Sequence, residues 1–227
     1  MDITIGLLGE QGSGKSTFIQ LLQECMPEEE IGCVRSSDIL AESLNALGIP
    51  RSRKNYTKHV LMIEKEYGRG TLAEEVYRRL IKLPTKKRVW DGVRWTQDVR
   101  VIRRFSDSLL VYVTADVKTR YRRVKDRKDK FGEEYLTFDE FEAEEQSPTE
   151  KDIPIIGAKA DLPPIIINKG KELTQAEYIE LNHFTDSIVI KGAHSPERLL
   201  TEVSLFLHSV NKSLPFEQRL GVRMLHD

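Results

Sequence analysis

The chain has 227 residues, of which 39% are hydrophobic and 31% charged, a balance typical of a globular protein with its own core. The formal net charge of −1 argues against a polycationic nucleic-acid binder, and no apolar run reaches the length of a membrane span. Two cysteines, Cys25 and Cys33, form no zinc or disulfide pattern. Because no secretion signal is visible either, we expect a cytoplasmic protein.

The first predicted element is a strand over the apolar residues 3–8, and it leads into a phosphate-binding motif. Residues 9–17 read Gly-Glu-Gln-Gly-Ser-Gly-Lys-Ser-Thr, and the apolar run after them predicts the buried face of a helix. Backbone N–H groups and the helix dipole bind polyphosphate in that context. We predict that Lys15 reaches the β- and γ-phosphates of ATP and that Ser16 places its hydroxyl on Mg²⁺. The other predicted nucleotide contacts are Gly9, Gln11, Gly12, Ser13, Gly14 and Thr17.

A short strand and three helices are predicted next. The strand covers residues 31–34, and Ser36 or Ser37 is expected to cap the helix that follows it. A second helix is predicted over 53–66, where apolar residues step by four, three and four. A capping box that begins at Thr71 predicts the start of the third helix.

The middle of the chain alternates strands and helices. Strands are predicted over 87–91 and 109–113, and the second is a continuous apolar run typical of a strand buried on both faces of a parallel sheet. A helix is expected to begin at Thr96, and Asp116 is expected to cap the next one. A further capping box at 137–140 predicts a small helix.

The last third of the chain contains two strand-like segments, 165–167 and 188–190. Helices are predicted to begin at Thr174 and Ser195, and residues 211–227 are expected to form a tail. Strands that alternate with helices from the phosphate motif onward predict an α/β fold. Its expected form is the three-layer α/β/α P-loop NTPase fold, with a parallel central sheet and a helical lid.

Polar side chains follow several predicted strands at their carboxyl ends, where parallel α/β sheets bind ligands. Asp91 ends one strand and is predicted to orient Mg²⁺ through water or to accept a proton from the substrate. Arg94 is predicted to clamp a phosphate of the acceptor. Asp38 fits either a base for the acceptor or an ordinary first-turn acid, and Arg69 fits either a phosphate contact or a loop residue.

The helix predicted over 117–130 carries eight basic side chains in fourteen residues. Arg120, Arg123 and Arg127 are spaced three and four apart, which places them on one helical face. We predict a lid over about 117–152. Arg120 and Arg123 are expected to bind the nucleotide, and Arg127 to stabilise the transferring phosphoryl group. The alternatives are a solvated basic face and a nucleic-acid surface, and the acidic stretch that follows argues against the latter.

The order of these motifs resembles the nucleoside and nucleotide kinase group of P-loop proteins, in particular dephospho-CoA kinase-related and adenylate-kinase-like proteins. The resemblance covers about residues 1–210 and implies ATP, Mg²⁺ and a small phosphate acceptor. The matching segments are the P-loop, Ser36-Ser37-Asp38, the helix start Gly68-Arg69-Gly70-Thr71-Leu72-Ala73, the strand end Asp91-Gly92-Val93-Arg94, and the lid pair Arg120 and Arg123.

The chain departs from that resemblance at Ala41 and Glu42, where arginines are usual, so the acceptor is left open. Two segments compete for the strand beside the nucleotide base, Ile165–Gly170 and Ile188–His194. The second leads into the last helix and is preferred, which makes 163–186 an insertion.

Three rival functions fit less of the chain. A small GTPase is suggested by Asn168-Lys-Gly-Lys171, but a lysine replaces the aspartate that reads guanine. A nucleic-acid-modifying kinase would use the basic helix to bind the phosphate backbone of its nucleic-acid substrate. A regulatory P-loop protein that binds nucleotide without transferring phosphate is favoured by Ala41 and Glu42.

We therefore predict one kinase domain over 1–210, with acceptor-binding helices at about 36–83. The expected reaction transfers the γ-phosphate of ATP to a small nucleotide-like acceptor, such as a nucleoside monophosphate, a deoxynucleoside monophosphate or dephospho-CoA. No membrane partner is expected. The sequence leaves open the acceptor, the choice of ATP over GTP and the oligomeric state.

Overall fold

The structure is a computed structural model that describes residues 2–26, 30–127, 133–162, 164–169 and 187–191. The described strands are β1 (Ile3–Leu8), β2 (Ile31–Arg35), β3 (Lys87–Val93), β4 (Ser108–Thr114), β5 (Ile165–Lys169) and β6 (Ser187–Lys191). The described helices are α1 (Lys15–Cys25), α2 (Ser36–Ala46), α3 (Arg53–Glu66), α4 (Thr71–Leu80), α5 (Thr96–Ile102), α6 (Val117–Arg127), α7 (Phe138–Glu145) and α8 (Ile153–Gly157). None of them is both long enough and apolar enough to cross a bilayer.

The described strands form one parallel sheet in the order β2-β3-β1-β4-β5-β6. β1 lies between β3 and β4, and the phosphate motif leaves its carboxyl end to open α1. A phosphate loop that follows the central strand of such a sheet defines the P-loop NTPase fold. The predicted fold class is therefore confirmed.

Helices cover both faces of this sheet through two hydrophobic clusters. On one face Phe18 and Leu22 of α1 pack with Leu7 of β1. On the other face Leu80 of α4 packs with Trp90 of β3. These side chains are at most 2% exposed, and each stabilises the fold by about 1.5–3 kcal/mol through burial. The two clusters hold the carboxyl ends of the strands at one common edge.

Two of the predicted helix caps are wrong, because the hydroxyls bond elsewhere. Ser36 accepts a hydrogen bond from Trp90 Nε1 at 2.8 Å and lies inside α2, whose N-cap is Arg35. Thr71 donates to the Tyr67 and Gly68 carbonyls, and Gly70 is the N-cap of α4.

The other two predicted caps are confirmed. The Asp116 carboxylate accepts the Thr119 N–H at 2.9 Å at the start of α6. Thr137 and Glu140 form the capping box that opens α7. In both motifs a side-chain oxygen accepts the backbone N–H three residues further along the chain.

Both competing C-terminal segments belong to the sheet. Ile165–Lys169 lies next to β4, and Ser187–Lys191 extends the sheet beyond it. The helices predicted from Thr174 and Ser195 and the tail over 211–227 lie outside the described residues. The insertion over 163–186 stays a prediction.

Candidate active site

A cleft of about 730 Å³ opens at the carboxyl ends of the strands. It extends from the phosphate loop past β3 to the start of α3, and α6 closes one side. The predicted site residues that line it are Gln11, Gly12, Ser13, Gly14, Lys15, Ser16, Thr17, Asp38, Asp91, Arg94, Arg123 and Arg127. The fold thus brings the seven motif residues 11–17 together with five residues from distant parts of the chain, as expected at the carboxyl ends of parallel strands.

The phosphate loop passes so close to its neighbours that glycine is needed at two positions. A Cβ at Gly12 would lie 2.5 Å from the Arg120 carbonyl oxygen, and the Gly12 φ is +77°. A Cβ at Gly9 would lie 2.1 Å from the Val113 carbonyl oxygen. Gly9 lies against β4 and is not among the residues that line the cleft. Its part in nucleotide binding stays a prediction.

A buried carboxylate attaches the loop to β4. Glu10 accepts hydrogen bonds from the Tyr112 hydroxyl and from Thr114 Oγ1, the latter at 3.0 Å. Burial, followed by the Glu10 charge, raises the pKa of Tyr112, so its hydroxyl stays protonated and donates. The sequence gives no sign of this anchor, because Glu10 occupies a variable position of the motif and its partners lie on β4.

Lys15 lies under the loop in contact with its backbone. Its Nζ donates to the Gly9 carbonyl at 2.6 Å and to the Glu10 carbonyl at 3.0 Å. Burial lowers the pKa of Lys15 to about 8, and the negative charge of Asp91 opposes that shift. The ammonium group is therefore mostly protonated at neutral pH, although it has lost much of its hydration.

The oxygen donors beside Lys15 suit Mg²⁺ that arrives with a nucleotide. Ser16 is exposed in the first turn of α1, and Asp91 lines the same cleft with its carboxylate 3.5 Å from Arg35 Nε. Within the described residues no three His, Cys, Asp or Glu side chains cluster as metal ligands. Mg²⁺ prefers one or two protein oxygens plus phosphate and water, so this donor set fits.

The turn between β3 and α5 presents Arg94. The Asp98 carboxylate accepts the backbone N–H groups of Arg94 and Trp95 at 2.8 and 3.0 Å, and burial raises the pKa of Asp98 to about 6. The Arg94 guanidinium bonds the Thr149 carbonyl at 3.2 Å and pairs with Glu150. Burial, and then the nearby Arg53 charge, lowers the pKa of Arg94 to about 9.

Two residues in this part of the cleft do not follow from the sequence. Arg53, the first residue of α3, pairs with the same oxygen of Glu150 as Arg94 does. Glu150 lies in the turn between α7 and α8 and is 4% exposed. The only sequence signal was the Arg51-Ser-Arg53 pair of bases before a predicted helix, and Glu150 belongs to no motif.

The basic helix α6 packs on the phosphate loop, and its three predicted arginines have different surroundings. Arg123 donates to the Gly12 and Ser13 carbonyls at 3.1 and 3.0 Å. Arg127 donates to the buried Glu133 at 3.1 Å. Arg120 instead bonds the Ala115 carbonyl and pairs with Glu145.

Arg120 therefore does not line the cleft, although Arg123 and Arg127 do. Its helical spacing places it on the right stripe of α6, but the carbonyl and carboxylate partners direct its guanidinium away from the cleft. This geometry does not favour the predicted contact between Arg120 and a nucleotide.

The fold places Asp38 at the cleft and Arg69 outside it. Asp38 is exposed in the first turn of α2 and lines the cleft on the side opposite α6. Arg69 is exposed in the turn between α3 and α4 and does not line the cleft. Of the two alternatives for Arg69, the geometry favours the loop residue.

Comparison with known proteins gives distant matches, and no family model matches the chain. A UPF0200 protein from Hyperthermus butylicus (strain DSM 5456 / JCM 9403 / PLM1-5) is 25% identical over 126 residues. That match spans 55% of this chain and 65% of the relative, which is less than two thirds of the relative's length.

Among solved structures, the protein TT1252 from Thermus thermophilus is 16% identical, covering 94% of this chain and 98% of its own, with a TM-score of 0.46. A shikimate kinase from Acinetobacter baumannii is 14% identical, covering 79% and 89%, with a TM-score of 0.42. A gluconokinase from Sinorhizobium meliloti 1021 is 12% identical, covering 95% and 97%, with a TM-score of 0.46. All three TM-scores are below 0.5, so the fold assignment rests on this chain's own strand order and phosphate loop.

Proposed function

We propose that the protein is a Mg²⁺-dependent phosphotransferase that moves the γ-phosphate of ATP to a small nucleotide-like acceptor. The observation that carries the proposal is a cleft that joins the phosphate loop to the arginines at the start of α3 and after β3. Phosphoryl transfer requires mainly positioning and positive charge around the transferring group. This cleft offers both along one continuous surface.

At the donor end, the backbone of the loop and the N-terminus of α1 hold the triphosphate. Lys15 and Arg127 supply positive charge to the transferring group, and Arg123 borders the loop. Ser16 and Asp91 are the residues that would hold Mg²⁺, Asp91 through water. The ion supplies charge neutralisation between the β- and γ-phosphates when it is bound.

At the acceptor end, four arginines line the cleft: Arg35, Arg51, Arg53 and Arg94. Asp91 and Asp38 face the same space and are the candidates to orient or deprotonate the acceptor. Guanidinium groups bind phosphate bidentately, so this end suits an acceptor that carries phosphate. Nucleoside monophosphates, deoxynucleoside monophosphates and dephospho-CoA have that chemistry.

The test is ADP release from Mg-ATP in the presence of each of these acceptors, with Lys15→Ala as the blank and Lys82→Ala, an exposed lysine outside the cleft, as the matched control. We expect turnover with one class of acceptor, retained in Lys82→Ala and lost in Lys15→Ala. Turnover that survives Lys15→Ala would show that the phosphate loop is not its source.

A second function, nucleotide binding without phosphate transfer, is favoured by one observation. The Arg94 guanidinium already pairs with an internal carboxylate, that of Glu150. Glu42, one of the departures from the kinase resemblance, binds Arg79 at 2.7 Å and does not line the cleft. Tight ATP binding with no stimulation by any acceptor would favour this regulatory function over the kinase.

A further inference from the structure

Glu150 is an internal anion at the acceptor end of the cleft. One carboxylate oxygen, Oε1, pairs with both Arg53 and Arg94. The side chain is 4% exposed, and neither arginine is more than 25% exposed. The three groups lie on three separate elements: α3, the β3–α5 turn and the α7–α8 turn.

This pairing leaves much hydrogen-bonding capacity unused. Each guanidinium carries five N–H donors, yet both arginines meet the same single oxygen of Glu150. Arg94 also donates to the Thr149 carbonyl, and Arg53 Nε lies 4.0 Å from Glu144 Oε2. The second oxygen of Glu150, Oε2, is buried and has no hydrogen-bond partner in the part of the chain that the structure describes. A phosphate monoester presents three terminal oxygens, and inorganic phosphate four, so either can pair with each arginine through two parallel hydrogen bonds.

The backbone around Glu150 is held independently of its carboxylate. Trp95 Nε1 donates to the Pro148 carbonyl at 3.0 Å, and Arg94 donates to the Thr149 carbonyl at 3.2 Å. The turn therefore keeps its place if the Glu150 side chain changes rotamer. Such rotamer changes need no movement of a helix or strand.

We propose that Glu150 is a specificity-determining residue whose carboxylate occupies the place of the acceptor's phosphate between Arg53 and Arg94. An acceptor enters by exchanging its own anionic group for this carboxylate. The exchange favours a phosphate over a single carboxylate, because only the phosphate uses the remaining guanidinium donors. This inference rests on the proposed function for its biological meaning, but the anion exchange itself needs no catalysis.

The test is calorimetric titration of the full chain with inorganic phosphate, without nucleotide. We expect Glu150→Gln to gain one phosphate site, with affinity about tenfold or more above the wild type. Adding Arg94→Gln to that variant is expected to remove the gain. Glu142→Gln, an exposed position on α7, is the matched control and should behave as the wild type.

Equal phosphate binding by the wild type and Glu150→Gln would overturn the proposal, as would a gain that persists after Arg94→Gln. If Glu150→Gln is unstable, the thermal midpoint is measured in phosphate and in chloride at equal ionic strength. We then expect phosphate to raise the thermal midpoint of this variant by several degrees and to change the midpoint of Glu142→Gln little. Failure of that rescue would equally overturn the proposal.

The phosphate titration tests the anion exchange, and the acceptor assay tests the kinase reaction, so either result can be negative without the other. Phosphate exchange without turnover of any acceptor would contradict the kinase and leave the role of Glu150 intact. Turnover without any change in phosphate affinity on Glu150→Gln would contradict the exchange and leave the kinase intact.

Discussion

The Lys15 ammonium group has no carboxylate among its hydrogen-bond partners in the described residues, which are the Gly9 and Glu10 carbonyls and the Ser13 hydroxyl. Its burial makes the charged form costly, which lowers its pKa to about 8. A bound polyphosphate stabilises the charged form and raises that pKa again. Nucleotide binding is therefore linked to proton binding at this one residue.

The sign of the linkage gives a pH prediction for nucleotide affinity. Below about pH 8 Lys15 is already protonated, so the affinity should be constant there. Above that pH a proton must be taken up on binding, so the affinity should fall by up to about tenfold per pH unit. Titrations of Mg-ATP between pH 6.5 and 9.5 measure it, with Lys15→Arg as the control that keeps its charge. A constant affinity across this range would contradict the prediction.

Gly12 allows a second prediction at the residue scale. Both Gly12 and Gly48 have a positive φ, +77° and +65°, but a Cβ at Gly48 has no atom within 4 Å. Gly48→Ala should cost about 1 kcal/mol of unfolding free energy from backbone strain alone.

Gly12→Ala should cost about 2–4 kcal/mol, because its Cβ also meets the Arg120 carbonyl. Urea denaturation of both variants checks the difference. Equal losses would show that the loop moves away from α6 without cost.

The sequence predicts site residues where they belong to a local motif or follow a predicted strand at its carboxyl end. Lys15 and Ser16 were predicted because the phosphate loop is a local structure. Glu10, Arg53 and Glu150 were not, because each is defined by partners on distant elements. Arg120 shows the opposite case, in which the correct helical spacing did not decide where a long side chain points.

At the scale of elements, the N-terminus of α4 is capped by a side chain of another helix. Its N-cap is Gly70, which has no side chain to accept the free N–H groups. The buried Glu64 of α3 accepts the N–H of Gly70, and the N–H of Leu72 at 3.1 Å. α3 thus caps α4 with a carboxylate placed at the positive end of its dipole.

We predict that Glu64→Ala lowers the unfolding free energy by about 1–2 kcal/mol, since it removes this cap. Glu66→Ala, at the exposed end of the same helix, should change it by less than about 0.5 kcal/mol. Urea denaturation followed by circular dichroism compares the two. A similar loss in both variants would contradict the capping role.

Element positions followed from apolar periodicity better than from cap motifs. The helix predicted over 53–66 is α3, so the apolar spacing located the element correctly. Its buried residues are His59, Val60 and Glu64, whereas Tyr67 of the apolar stripe is 77% exposed. The cap predicted at Thr71 failed because Glu64, seven residues away, supplies the acceptors. Periodicity reports on a whole element, whereas a cap depends on which competing acceptor lies nearest.

At the scale of the molecule, ligand binding at the strand edge should stabilise the entire fold. Nucleotide at about one hundred times its dissociation constant adds about 2.7 kcal/mol to the unfolding free energy. For a domain of this size we expect the thermal midpoint to rise by about 5–10 °C.

Scanning calorimetry with Mg-ATP measures this rise in the wild type, in Lys15→Ala and in Lys82→Ala. The rise should be lost in Lys15→Ala and kept in Lys82→Ala. A full rise in Lys15→Ala would show that nucleotide binds away from the phosphate loop.

The central place of β1 has a consequence for synthesis on the ribosome. Among the described strands β1 is made before its partners β3 and β4, which begin at Lys87 and Ser108. At a translation rate of about 5–20 residues per second, both neighbouring strands are complete only on the order of 5–20 s after β1. Its apolar residues need protection during that time, so we expect the nascent chain to be a client of ribosome-associated chaperones until residue 114 has emerged.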